Sequence, residues 1–249
     1  MLSRFFLLVL VCCLYTGNTF ASMTISGTRI VFSGRDKEMD IKTRNRGTAP
    51  ALVQVWVDNG HKTGDINEMK VPFILTPPVY RVEPGKGQSL RMIYNGMQML
   101  QDRETLFWFN LLEIPPAPKD KKTNRLDLAF RTRIKVFYRP VTLDEDSVSV
   151  AEKLNIQLMH KGKSVNGIKV SNPTPYYFSL DSAAISGGNG LYDVKSDMIP
   201  PFGDEQFLTE KSLPENVTIN HVKLNIINDF GAIKTKEYVL KNNEFVLDK

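Results

Sequence analysis

The sequence predicts an all-β protein built of β-sandwiches, on three observations. Short runs rich in Val, Ile, Phe, Tyr and Trp recur along the chain. Turn signals separate them, among them Asn59-Gly60, Glu83-Pro84-Gly85, Gly187-Gly188-Asn189-Gly190 and Asp229-Phe230-Gly231. No stretch keeps a helical period over successive turns. Many short strands with turns at such spacing fit sandwiches better than alternating α/β layers.

The chain opens MLSRFFLLVLVCCLYTGNTFAS. Arg4 gives a positive start, residues 5–15 an apolar run too short to span a membrane, and Thr19-Phe20-Ala21 a cleavage site. Residues 1–21 therefore read as a secretory signal, with the cut after Ala21. Both cysteines, Cys12 and Cys13, fall inside it. The other 228 of the 249 residues hold no thiol for a disulfide, a nucleophile or a thiolate metal site. They suffice for one large or two medium domains. Losing Arg4 lowers 32 basic residues to 31 against 27 acidic ones, a net charge of about +4. That excess can steer an acidic partner but is not the dense basic field of a nucleic-acid binder. No second long apolar segment follows, so no membrane insertion is expected.

Residues 23–32 (MTISGTRIVF) read as one first strand, ended by Ser33-Gly34, and residues 38–43 alternate weakly. Residues 51–57 (ALVQVWV) carry apolar side chains on both parities, the mark of a central strand, and Pro50 suits its start. Pro77-Pro78 bends residues 73–81. Residues 88–94 (QSLRMIY) alternate, and residues 105–114 (TLFWFNLLEI) form an apolar, aromatic strand closed by Pro115-Pro116. A polar loop, 117–125, then leads into residues 126–140, LDLAFRTRIKVFYRP.

Those residues organise the chain. Even positions run Leu126, Leu128, Phe130, Thr132, Ile134, Val136, Tyr138; odd positions are mostly basic, with Arg131, Arg133, Lys135 and Arg139. Successive strand residues face opposite ways, so the run has one apolar and one basic face. At ~3.3 Å per residue it would span on the order of 45 Å, beyond what one small sheet covers. Two readings stand: a long core strand, or a strand shared between the chain's own core and a partner. Acidic, polar residues 142–147 read as a domain boundary. Beyond them, strands are expected at 154–159, 167–170, 176–185, 207–209, 217–227 and 236–240.

Catalytic signatures are missing. His61, His160 and His221 are isolated, and no GxSxG, GxxxxGK or HExxH occurs. The sequence therefore offers no catalytic residue, no metal site and no cofactor, and the expectation is a protein that is not an enzyme. Asp102 and Glu104 are close, as adjacent structural charges before a strand commonly are.

QDRETLFWFNLLEIPP at 101–116 closely resembles the signature of the periplasmic pilus-assembly chaperones, the PapD-like proteins of the chaperone–usher system. TRIVF at 28–32, PALVQVW at 50–56, TPPVYRVEPG at 76–85, RIKVFYRP at 133–140, NPTPYYF at 172–178 and INDFGA at 227–232 fit the same family in the same order. The resemblance spans essentially the whole chain after the signal. It implies two immunoglobulin-like sandwiches set at an angle around a cleft: an N-terminal chaperone domain at 22–141 and a C-terminal domain at 142–249. It also implies the partners and the place of work, namely fimbrial (pilin) subunits and an outer-membrane usher, in the periplasm.

The resemblance assigns residues too. Leu126, Leu128 and Phe130 match the donor strand that fills an incomplete subunit's groove by strand addition. Arg29 and Lys135 match the pair of cations that anchor the subunit's C-terminal carboxylate and so fix register. Glu104, Arg139 and Asp229 match an ion-pair network between the domains. The short loop and the lack of cysteine resemble the family's short-loop branch. The bulk of Phe130 and Trp108 bears on the shape of the pockets they would meet. An unpaired apolar edge also makes self-association expected when no client is bound. The alternative class, a secreted sandwich adhesin or pilin-like subunit, usually is shorter and carries a disulfide. A dismutase-like sandwich would need clustered histidines.

Overall fold

A computed structural model describes residues 23–60, 70–114, 128–188, 190–211, 213–215, 217–242 and 244–248. The signal read at 1–21, the loop at 117–125, Leu126 and His61 lie outside these residues.

The first sandwich packs two sheets. One has the order β1-β3-β7-β5, from β1 (Met23–Ile25), β3 (Glu38–Asn45), β7 (Gly87–Tyr94) and β5 (Phe73–Thr76). The other has the order β2-β9-β8-β4-β6, from β2 (Arg29–Ser33), β9 (Phe130–Arg139), β8 (Thr105–Ile114), β4 (Ala51–Asp58) and β6 (Val79–Val82). Between them Phe32, Val53, Leu90, Met92, Phe109 and Val136 are fully buried. Alternation explains the layering: along β4 Val53, Val55 and Val57 point inward, while Leu52 on the other parity is exposed.

The first strand expected at 23–32 is two strands in different sheets. β1 pairs antiparallel with β3, and β2 pairs parallel with β9. The chain changes sheets at Gly27, whose φ of +104° a side chain would rarely adopt. Pro77-Pro78 makes a second such transfer, from β5 in one sheet to β6 in the other.

The second sandwich packs β10 (Asn155–Lys161), β11 (Ser164–Asn172) and β15 (Gly203–Leu208) against a larger sheet. That sheet runs β13 (Gly190–Val194), β12 (Phe178–Gly187), β16 (Ile219–Ile227), β17 (Ile233–Lys241) and β18 (Glu244–Leu247), with β14 (Met198–Ile199) also on β12. Ile168, Phe178, Ile185, Leu224 and Tyr238 centre its separate core. Tyr238 keeps its hydroxyl satisfied by donating to the Ala151 carbonyl at 2.7 Å, in a single 3-10 turn. The sequence reading had no strand at β13, β14 or β18.

Candidate functional site

The expected long strand is shorter than the apolar pattern. β9 starts at Phe130, and Leu128 and Ala129 precede it outside any strand. On one side β9 pairs with β8 from Phe130 to Tyr138. On the other, β2 pairs only with Lys135 to Arg139. Among the described residues, Phe130 to Ile134 therefore have no strand partner on that second edge. The even face changes character close by, between Thr132 and Ile134. Ile134, Val136 and Tyr138 sit in the core, whereas Leu128 is 57% and Phe130 62% exposed.

Arg29 and Lys135 stand opposite each other in the parallel β2–β9 register, where the bare edge ends. They line a cleft of about 360 Å³ shared by the two sandwiches. Thr28, Trp108 and Ile134 face it from the first, and Asp181, Ile227 and Ile233 from the second. Arg29 Nη1 donates to the Ile227 carbonyl at 3.0 Å, while its Nε is buried with no hydrogen-bond partner. The Lys135 ammonium donates to Ser179 Oγ at 3.4 Å, a long bond. Burial lowers the pKa of both groups. For Lys135 the nearby Arg29 charge adds to that effect and Asp197 opposes it; for Arg29 it is Asp229 and Glu104 that oppose it. Two half-desolvated cations, with donor capacity to spare, favour an incoming carboxylate.

Glu104, Arg139 and Asp229 come together at the joint. Arg139 Nε donates to Glu104 at 2.8 Å, and its two terminal nitrogens grip Asp229 at 2.6 and 2.9 Å. The second Glu104 oxygen accepts the Tyr177 N–H at 2.8 Å, and the Glu104 N–H donates to the Pro175 carbonyl. Burial pushes the Glu104 carboxyl up, with Arg139 and the Tyr177 N–H holding it back in part. Burial also works against the Arg139 charge, but Asp229 and Glu104 outweigh it and keep the guanidinium firmly protonated. Asp229 sits in a turn whose Gly231 has φ +82°; a β-carbon there would fall 2.5 Å from Thr28 Oγ1 of the first sandwich.

Phe137 breaks the basic parity of β9. It is buried on the outer face, with its ring 5.6 Å from that of Tyr177 and the Arg29 guanidinium 5.8 Å away. The sequence reading also passed over a cluster farther up that face. Asp58, only 2% exposed, accepts from Arg133 at 2.6 Å, Arg131 at 3.3 Å, Asn110 at 2.8 Å and the Gly60 N–H at 2.8 Å. The available signal was a polar residue ending one apolar run, Asp58, and another inside a second, Asn110. Among the described residues no group of three or more His, Cys, Asp or Glu side chains is placed to hold a metal ion.

Residues 22–144 match the family model "Pili and flagellar-assembly chaperone, PapD N-terminal domain", and residues 149–238 match "Pili assembly chaperone PapD, C-terminal domain". The chain is 36% identical over 226 residues to the probable fimbrial chaperone YadV of Escherichia coli, covering 89% of this chain and 91% of that one. Its structure is similar to the CupB2 chaperone of Pseudomonas aeruginosa, with TM-score 0.74 and 33% identity over 88% of this chain and all of the other. It is also similar to a chain from the Salmonella enterica SafA pilin complex with the SafB chaperone, with TM-score 0.72 and 26% identity over 90% and 99% of the two.

Proposed function

The chain belongs to the PapD-like family of pili-assembly chaperones; from that premise we propose that it binds and caps fimbrial subunits by adding the front edge of β9 to them. One observation carries this reading. The β2 partner ends at Lys135, and among the described residues the five before it have no strand partner on that edge, beside exposed Leu128 and Phe130. A bare, apolar edge invites another chain to pair with it. Main-chain hydrogen bonds then supply affinity, and alternate side chains supply specificity. The SafA–SafB complex, a chaperone bound to a pilin, supports a pilin as the partner.

Leu126, Leu128 and Phe130 are the groove-filling side chains in this reading. Arg29 and Lys135 receive the subunit's terminal carboxylate where the edge stops. Glu104, Arg139 and Asp229 hold the two sandwiches so that the cleft stays aligned with that edge. The family and the signal-like start support work in the periplasm and delivery to an outer-membrane usher. The family describes folding helpers rather than enzymes. Units at 22–141 and 142–249 describe the division of labour, the first presenting the edge and the second closing the cleft. Without a subunit, the same edge is expected to pair with a second copy, read by sizing over a dilution series.

The test is recovery of soluble pilin on co-expression in the periplasm. Arg29→Ala and Lys135→Ala are each expected to lower it at least tenfold at unchanged chaperone level, since each removes a charge-assisted bond worth ~1.5–3 kcal/mol. Undiminished pilin with both variants would reject the anchor.

A further inference from the structure

The front half of β9 combines two properties that oppose each other. It has β8 on one side only, yet to add to another sheet it must stay extended and in register. Its odd-numbered side chains show how this is achieved. Arg131 lies over the Trp56 ring at 5.0 Å and Arg133 over the Trp108 ring at 4.2 Å. Both guanidinium groups reach across β8 to Asp58 at the end of β4. Arg131 also donates from Nε and Nη2 to Asn110 Oδ1 at 3.0 and 2.7 Å, and Asn110 in turn donates to Asp58.

We infer that Asp58 is a positioning residue for strand donation, tying the unpaired half of β9 to β4 through Arg131 and Arg133 so that its free edge is held extended before a subunit arrives.

The buried carboxylate is suited to this. Burial raises the proton affinity of Asp58, but the Gly60 N–H, Asn110 and Arg133 outweigh it and hold the carboxyl below its ordinary value. It thus stays charged, with two cations and two neutral donors around it. The ties run on the sheet's outer face, so the even-numbered side chains Leu128 and Phe130 are left clear. An edge ordered in advance loses less conformational freedom when it pairs, which is the general route by which preorganisation raises affinity. The back half of β9 does not depend on Asp58, because β2 pairs with it.

This inference rests on the reading of the front edge as the subunit-facing one, but its test does not require a subunit. Hydrogen–deuterium exchange is followed in the client-free chain for segments 130–134 and 135–139, in the wild type and in Asp58→Asn. The expected result is exchange at least tenfold faster at 130–134, since the charge that both guanidinium groups meet is lost, with 135–139 little changed. Arg131→Leu removes one tie, leaves the buried carboxylate paired with Arg133, and is expected to give a smaller increase confined to the same segment. Unchanged exchange at 130–134 in both variants would overturn the inference. So would equal acceleration of the two segments in both, which marks general destabilisation. A wild type that captures no pilin would remove the functional reading while leaving this result to stand or fall by itself.

Discussion

Between Lys135 and Arg139, β9 has β8 on one side and β2 on the other; between Phe130 and Ile134 it has β8 alone. In the back half the even side chains fill the first core, and the odd ones, Lys135, Phe137 and Arg139, reach the second sandwich through Ser179, Tyr177 and Asp229. In the front half Phe130 and Thr132 face solvent, Ile134 is the first even side chain to enter the core, and the odd ones turn back onto the chain's own Trp56, Trp108 and Asp58. The difference teaches that one strand can belong to the fold at one end and remain available at the other. What divides them is where a neighbouring strand stops. An edge of this kind ordinarily risks aggregation, and flanking charges such as Arg131 and Arg133 are a recognised way of restraining it.

Two phenylalanines on this strand give the sharpest contrast. Phe137→Ala is expected to cost ~3–5 kcal/mol of stability, since a buried aromatic is removed from the joint. Phe130→Ala is expected to change stability by no more than about 0.5 kcal/mol and to reduce pilin capture instead. Urea unfolding of the two variants checks this, and similar losses in both would erase the contrast.

A smaller effect concerns pH. Glu104 has a raised folded-state pKa, so its contribution to stability is fully present below the ordinary carboxylate value of ~4.3 and is lost as pH rises through the raised one. The stability of the wild type relative to Glu104→Gln is therefore expected to fall across that window. Chemical denaturation at a series of pH values reads it; a difference that rises with pH would show that Arg139 outweighs burial.

Much of this was legible from local pattern. The bounds of β8 are those read from TLFWFNLLEI, because a proline pair closes an apolar run there. Of the surplus apolar residues before Ile134, Leu128 and Phe130 are exposed, and Leu126 lies outside the described residues. Other features depend on contacts that no local pattern carries. Across Gly27 the apolar parity shifts from odd (Met23, Ile25) to even (Ile30, Phe32), a break too brief to separate two strands in a run read as one. β13 and β18 are only five and four residues long, and their apolar residues fall next to each other rather than in alternation. Asp58 and Asn110 meet from strands far apart in sequence, and only the β4–β8 register brings them together.

The central claim, that the front edge of β9 is completed by a subunit, is tested most directly by amide exchange in a purified chaperone–pilin complex against the free chaperone. The expected result is strong slowing at residues 130–134, with 135–139 slow in both states. A stable complex in which 130–134 exchange as fast as in the free protein would contradict it.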